Sequence, residues 1–412
     1  MDILTRFELR KIIRKKSFYA GVAIIAAVAI LMSVILVNNA QITGRDGNFL
    51  NGVRAIRLER EYERQLAGPL TTDKLEQTII RHQRLLQDPD NLDGKGELTV
   101  SAFAKNEVQY EQLYSLISRA FSPLNEYDYY IRDKLQPGDA AAFYQKRMER
   151  VHEYLNAEHP EGNYSAQEKA FFIRMNERIP VPFEMNYVTG WANVFENLQF
   201  IFLFTAFVIA VCLAPVFAGE YQSGADALLL SSRYGRSRLI AAKLRASLIV
   251  SVMLLIFGLG LYTFLLLGIC GFEGGTASVQ MIQFRAPVPY TVLQTYMWAV
   301  LIGSLACLLV GGITLWMSSR MRSPFPVIIA AGMLLFVPMA IPASESSRLF
   351  NHLMALLPSN MFDSFRKITD YEVIHIFGQL IPEYKVIPGF AVIVIALLLP
   401  FTYRAFKNHQ VA

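Results

Sequence analysis

The sequence predicts an all-α polytopic membrane protein, with six transmembrane helices plus a mainly helical extracellular domain. Three observations carry that reading. The 412-residue chain is 53% apolar and only 18% charged, with a mean hydropathy of +0.31, too oily for a soluble domain of this size. Six windows, 17–43, 197–219, 246–272, 286–319, 323–344 and 386–403, contain no Asp, Glu, Lys or Arg. The long stretch between the first two is charged and shows helical periodicity.

Residues 1–17 read as an interfacial helix. Leu9, Ile12 and Ile13 project one way, while Arg10, Lys11, Arg14 and Lys15 project toward anionic headgroups. Ile3, Leu4 and Phe7 fall on the basic side, so the first two turns are candidates for docking against protein; a plain topogenic charge cluster is the alternative. The first span is placed at 18–38. Its apolar run is longer than a signal-peptide core and no small-x-small cleavage site stands out, so it is expected to be retained. The other spans are placed at about 197–218, 241–270, 290–317, 324–342 and 387–405, each able to supply the roughly 17–25 apolar residues that cross a bilayer. The 324–342 span is short and carries Pro324, Pro326, Pro338 and Pro342. Continuous rather than alternating apolar runs exclude a closed barrel.

Orientation follows from the short loops. The N-terminus, the loop after the second span, Arg320 with Arg322, and Arg404 with Lys407 gather 15 basic residues against four acidic ones. That end is expected to be cytoplasmic, with both termini inside a plasma membrane. Residues 39–196 then form the extracellular domain; 38–195 carry 19 basic and 23 acidic residues, a net of −4. Within it, "SAFAKNEVQYEQLYSLISRAF" places Tyr110, Leu113, Tyr114, Ile117 and Phe121 on one helical face. "SAQEKAFFIRMNERIPVP" opens with a Ser165/Glu168 capping box, aligns Phe171, Phe172, Met175 and Ile179, and stops at Pro180 and Pro182. Residues 88–96 and 159–163 read as loops. Cys212, Cys270 and Cys307 all fall in or at the end of spans, so no disulfide framework is expected in the domain.

Several chemistries lack support. No span interior carries an ionisable group; Glu220, Lys243 and Arg245 lie within snorkelling reach of the interface, so an ion relay through the bilayer is not expected. No phosphate-binding G-x-x-x-x-G-K-[ST] loop occurs, and "DNLDGKGEL" reads as a surface turn. The six histidines show no metal-ligand spacing and no catalytic triad can be nominated. No catalytic, cofactor-binding or metal residue is therefore assigned, and no nucleic-acid partner is expected.

The loop "FAGEYQSGADALLLSSRYGRSRLIAAKL" is the segment with most to explain. Glu220 to Leu230 suits about three helical turns, Ser231 to Gly235 a turn, and Arg236 to Lys243 the start of the third span. A short helix held between two rigid spans transmits force as a lever. A simple positive-inside loop is the competing reading, but it would need neither "GADALLL" nor a Glu at the span end.

The positions Glu220, Gly224, Leu229, Leu230, Ser231, Arg236 or Arg238, and Lys243 resemble the first cytoplasmic loop of ABC-2-type ABC transporter permeases. Tyr234 and Gly235 stand where that family often has Pro or Val. The resemblance extends to six spans with both ends inside, a basic interfacial helix, and an outer re-entrant element between the fifth and sixth spans. The last is matched by "SSRLFNHLMALLPSNMFDSFRKI" in the 343–386 segment, interrupted at Pro358.

By resemblance, ATP and Mg belong to a separate cytoplasmic ATPase subunit, and two permeases, alike or different, pair with two ATPases. The segment 220–238 is then the coupling helix: Glu220, Gly224 and the Leu228, Leu229 and Leu230 anchors would seat in the ATPase, steered by Arg233, Arg236 and Arg238. The substrate path is expected at the permease seam, where Phe200, Phe204, Phe207 and Val211 run down the second span; ordinary helix packing explains that stripe equally well. Uncharged walls favour amphipathic or lipid-like cargo, which points to export of compounds such as antimicrobial peptides or drugs. The alternatives are a non-transporting sensor or assembly platform whose extracellular domain binds a ligand or envelope partner, and a membrane-embedded lipid enzyme, against which the lack of clustered catalytic residues argues.

Overall fold

A computed structural model describes residues 2–232 and 234–409. The chain opens with α1 (Ile3–Ile13), capped by Asp2, whose carboxylate accepts from the Thr5 N–H at 2.6 Å. Its buried residues, Thr5, Glu8 and Ile12, follow helical spacing, while Ile3, Phe7, Arg6 and Arg10 face outward. The 24-residue α2 (Lys16–Asn39) is about 36 Å long at 1.5 Å per residue, enough to cross hydrocarbon.

The inserted domain follows. A small ribbon, β1 (Gln41–Thr43) with β2 (Phe49–Asn51), leads into α3 (Val53–Gln65); β3 (Gly68–Pro69) precedes α4 (Thr72–Leu86). Next come α5 (Val100–Asn106), α6 (Glu111–Phe121), α7 (Ile131–Lys134), α8 (Phe143–Asn156), α9 (Ala166–Glu177), and β4 (Glu184–Met185), which pairs with β3. The helix expected around Tyr110 is broken by a 3₁₀ turn at Val108–Tyr110. The break serves Glu107, which is fully buried and bonded to His82 and Tyr114. The α9 capping box forms in both directions: Ser165 Oγ accepts from the Glu168 N–H at 3.3 Å, and Glu168 accepts from the Ser165 N–H at 2.7 Å.

The second span begins earlier than its charge-free window. α10 (Thr189–Leu213) takes up residues 189–196, which were expected in the domain, because "TGWANVFE" continues the helix and buries Trp191, Val194 and Phe195. Then follow α11 (Ala218–Ser223), α12 (Ala225–Ser231), the 33-residue α13 (Arg238–Cys270), and α14 (Val292–Ser318) behind a Thr291/Gln294 capping box. α15 (Pro324–Phe336) is only 13 residues, about 20 Å by the same rise, and a 3₁₀ turn at Pro338–Ala340 replaces the rest of the expected 324–342 span. Among the described residues, five helices are long and apolar enough to cross a membrane, with α15 a shorter apolar sixth.

Between α15 and the last span lie α16 (Arg348–Ala355), α17 (Pro358–Met361) and α18 (Ser364–Thr369). A hairpin of β5 (Val373–Ile376) and β6 (Gln379–Pro382) follows, which the re-entrant reading of the 343–386 segment did not include. Its turn puts Phe377 and Gly378 at φ 48° and 78°, the left-handed geometry that closes a two-residue hairpin. α19 (Glu383–Lys407) ends the described bundle.

α10 is the axis of the molecule. Its apolar window is 72% buried within the chain, against 17–50% for the other long spans. Helices close on it through small residues: a Cβ at Gly303 of α14 would fall on the Phe202 ring, and one at Gly21 of α2 on Val208. In lipid, where apolar burial between helices drives little, such close backbone approach is what holds a bundle together.

Candidate functional site

At the basic end, α10 and α13 are joined by a short two-helix element. Ser318, at the end of α14, fixes where it starts: its hydroxyl accepts from the Phe217 and Ala218 N–H groups at 3.1 and 3.0 Å and donates to Ala214 O at 2.7 Å. The expected three-turn helix is instead two pieces. Gly224, at φ 68°, ends α11 in the left-handed conformation and α12 starts from it at a new angle.

The same region holds a buried charge cluster. Lys243 of α13 is 1% exposed, and its ammonium donates to Glu220 at 2.7 Å, Glu8 at 2.9 Å and Val216 O at 3.2 Å, using all three protons. Lys11 adds a second ion pair to Glu220. Glu8 and Glu220 are each 4% exposed. Two carboxylates and two ammoniums make the group neutral, and it ties α1, α11 and α13 together. The snorkelling expected of Glu220 and Lys243 does not occur: each reaches a buried partner instead of the interface. Arg245 does face outward and meets Asp2 of α1 at 3.0 Å.

The C-terminal turn closes the other side. Arg236 donates to Leu230 O at 3.2 Å and to Lys407 O at 2.8 Å. His409 lies 3.4 Å from Asp226 of α12, and Phe406 packs at a tilt against Phe217 with ring centroids 4.8 Å apart. A Cβ on Gly235 would fall on the Leu229 carbonyl, a local reason for glycine there. Arg238 covers the Tyr234 ring at 4.7 Å.

The three leucines divide by direction. Leu230 is buried in the bundle, Leu229 is half-buried, and Leu228 is 77% exposed. Arg233 lies outside the described residues. On α10, Phe200, Phe204, Phe207 and Val211 are half-buried in a helix whose other faces are covered, and Phe207 meets Phe336 of α15 at 5.8 Å between centroids. The sequence reading singled out Glu220 and the start of α13 but not their partner Glu8. The available signal was one glutamate in a helix otherwise charged with arginine and lysine.

Long apolar helices around a buried axis, with a short two-helix element pinned at their basic end, define a polytopic membrane protein. Residues 3–344 match the family described as ABC-2 family transporter protein, and the chain belongs to that family. It is thus an ABC-2-type permease, an integral membrane protein. No curated protein and no solved structure matches it.

Proposed function

We propose that the chain is the export permease of an ATP-driven transporter for hydrophobic or amphipathic compounds. Its basic end is cytoplasmic, and the segment from Glu220 to Arg238 couples it to a separate ATPase that binds Mg-ATP. The observation that carries this reading is the Glu8, Lys11, Glu220 and Lys243 cluster. A loop that only sets topology has no use for a clamp of three buried charges joined by a fourth, Lys11, at its exposed edge, whereas a lever must be rigid at its root. Leu228, with Leu229 beside it, is the apolar surface left free to meet a partner; Leu230 serves the root, and Arg236 braces the element against α19. A second permease, a copy of this chain or a related one, faces the α10 stripe, and cargo passes along that seam.

The test uses Leu228→Asp together with Leu229→Asp, changes on the outward side of α12. In the protein co-expressed with its ATPase, co-purification and permease-dependent ATP hydrolysis should both fall at least about tenfold, the loss of a desolvated apolar anchor. Unchanged association would remove the coupling assignment. Flux of a labelled amphiphile into inverted vesicles separates transport from sensing: ATP turnover with no flux favours the sensor or assembly platform.

A further inference from the structure

Where the inserted domain meets the far ends of the spans, a cleft of about 590 Å³ opens between the β1–β2 ribbon, α3, α6 and the start of α10. Phe49, Phe103 and Met281 give it an apolar wall. Glu59 and Glu63, one turn apart on α3, line it together with Glu111 and Arg119 of α6. Like charges at that spacing repel, and among the described residues neither carboxylate has an ion-pair partner. Both face the Thr189 hydroxyl, at 3.1 and 3.4 Å, which has one proton to share between them. Glu63 also accepts from the Val188 N–H at 3.3 Å.

Two further groups in the cleft lack partners. Tyr62 is 2% exposed and, among the described residues, its hydroxyl makes no hydrogen bond; the Gln112 side-chain oxygen is likewise buried and unmatched among them. Of the cations nearby, Arg45 lies over the Tyr62 ring at 5.6 Å, Arg60 pairs with Glu273, and Arg119 of α6, exposed, lines the cleft without an ion pair to Glu59 or Glu63 among the described residues. Among the described residues, no trio of His, Cys, Asp or Glu converges there to hold a metal ion. Buried polar atoms without hydrogen-bond partners, two acidic side chains with no ion pair among the described residues, and an apolar wall together suit a positive charge carrying N–H groups and a hydrophobic body.

The geometry points to this cleft as a binding site for an organic ammonium amphiphile, its cation on Glu59 and Glu63, its body against Phe49, Phe103 and Met281. The identification of this ligand as cargo rests on the export reading above; the site itself does not. Burial raises the pKa of Glu59, and burial with the neighbouring Glu59 charge pushes Glu63 up to about 8. The other titratable groups in range are Glu111 and Arg119 on α6, Arg60 on α3, Tyr187 ahead of α10 and Cys270 at the end of α13. A bound cation favours ionised Glu63, so binding should release a proton.

The probe is dansylcadaverine, titrated by fluorescence into the full chain in lipid nanodiscs without ATPase or ATP; its N-acetylated form is the uncharged control. Saturable binding of the amine is expected, with the acetylated control and the Glu59→Gln, Glu63→Gln double variant each weaker by about tenfold or more, as loss of a buried charge pair requires. Ser115→Trp, which fills the cleft, should abolish binding. In the unmutated protein, affinity should rise about tenfold between roughly pH 6.5 and 8.5, as Glu63 becomes free to ionise. Equal binding of the acetylated control, or affinity independent of pH, overturns the proposal even if a variant misfolds. Because no ATPase is present, that result leaves the coupling assignment untouched, and failure of coupling leaves this binding result intact.

Discussion

Lys243 is the residue on which the basic end turns. Its ammonium is removed from water but has three acceptors, two of them ionised, so its interactions are balanced only while Glu8 and Glu220 both remain. Removing one partner of a buried ion pair costs about 3–5 kcal/mol, because the other charge stays buried and uncompensated. Lys243→Met should lower the unfolding free energy by about that amount, or a comparable loss in thermal midpoint. Adding Glu8→Gln should restore part of the loss by removing the stranded carboxylate, since Glu220 keeps its ion pair with Lys11. A single-variant cost below about 1 kcal/mol, the value of an exposed pair, would show that Lys243 is solvated after all.

At the scale of elements, the inserted domain has its own polar lock. His82 of α4 is 1% exposed and has both ring nitrogens 2.6 Å from carboxylate oxygens, Glu107 on one side and Asp133 of α7 on the other. Two acceptors need two donors, so the ring is an imidazolium. Burial alone would lower its pKa, but the hydrogen bonds to Asp133 and Glu107 outweigh that and raise it above 6.5. The sign follows from linkage: a raised folded-state pKa contributes stability that is fully present below about pH 6.5 and lost as pH rises through the folded value. Thermal stability of the domain should therefore decline as pH rises above neutrality, and His82→Gln should flatten that decline. A pH profile identical in the two proteins would remove the lock.

These elements also show what the sequence could disclose. The α9 start was legible because Ser165 and Glu168 are three residues apart and act on each other. The apolar spans were legible from composition, although α10 runs past its charge-free window, where Glu196 faces outward without interrupting the helix. The shortness of α15 was foreshadowed by its prolines, but not where it stops. Glu8 meeting Lys243, 235 positions away, leaves no local spacing to read, and neither does Glu59 sharing Thr189 with Glu63. Local rules reach caps, turns and helix faces; pairings across the bundle are set by packing.

For the whole molecule, the uneven burial of α10 is the informative asymmetry. A helix covered on its other faces by α2, α13 and α14 leaves Phe200, Phe204, Phe207 and Val211 half-open, at spacings that keep them on one side, which α15 reaches at Phe207. Lipid can cover such a strip, but so can the matching strip of a second permease, and the two predict different chemistry. If α10 lies at the seam, Phe204→Cys, in a background with Cys212, Cys270 and Cys307 replaced, should form an oxidised dimer, since a disulfide requires Cα atoms within about 7 Å. Leu248→Cys, 54% exposed on α13, should not if that face meets lipid. With the ATPase bound, the Phe204→Cys yield should change between nucleotide-free and ATP-trapped states, because a lever that moves the spans must alter the distance across their seam. Equal cross-linking at both positions, or none at Phe204→Cys in any state, would place the seam elsewhere and make the stripe ordinary lipid-facing packing.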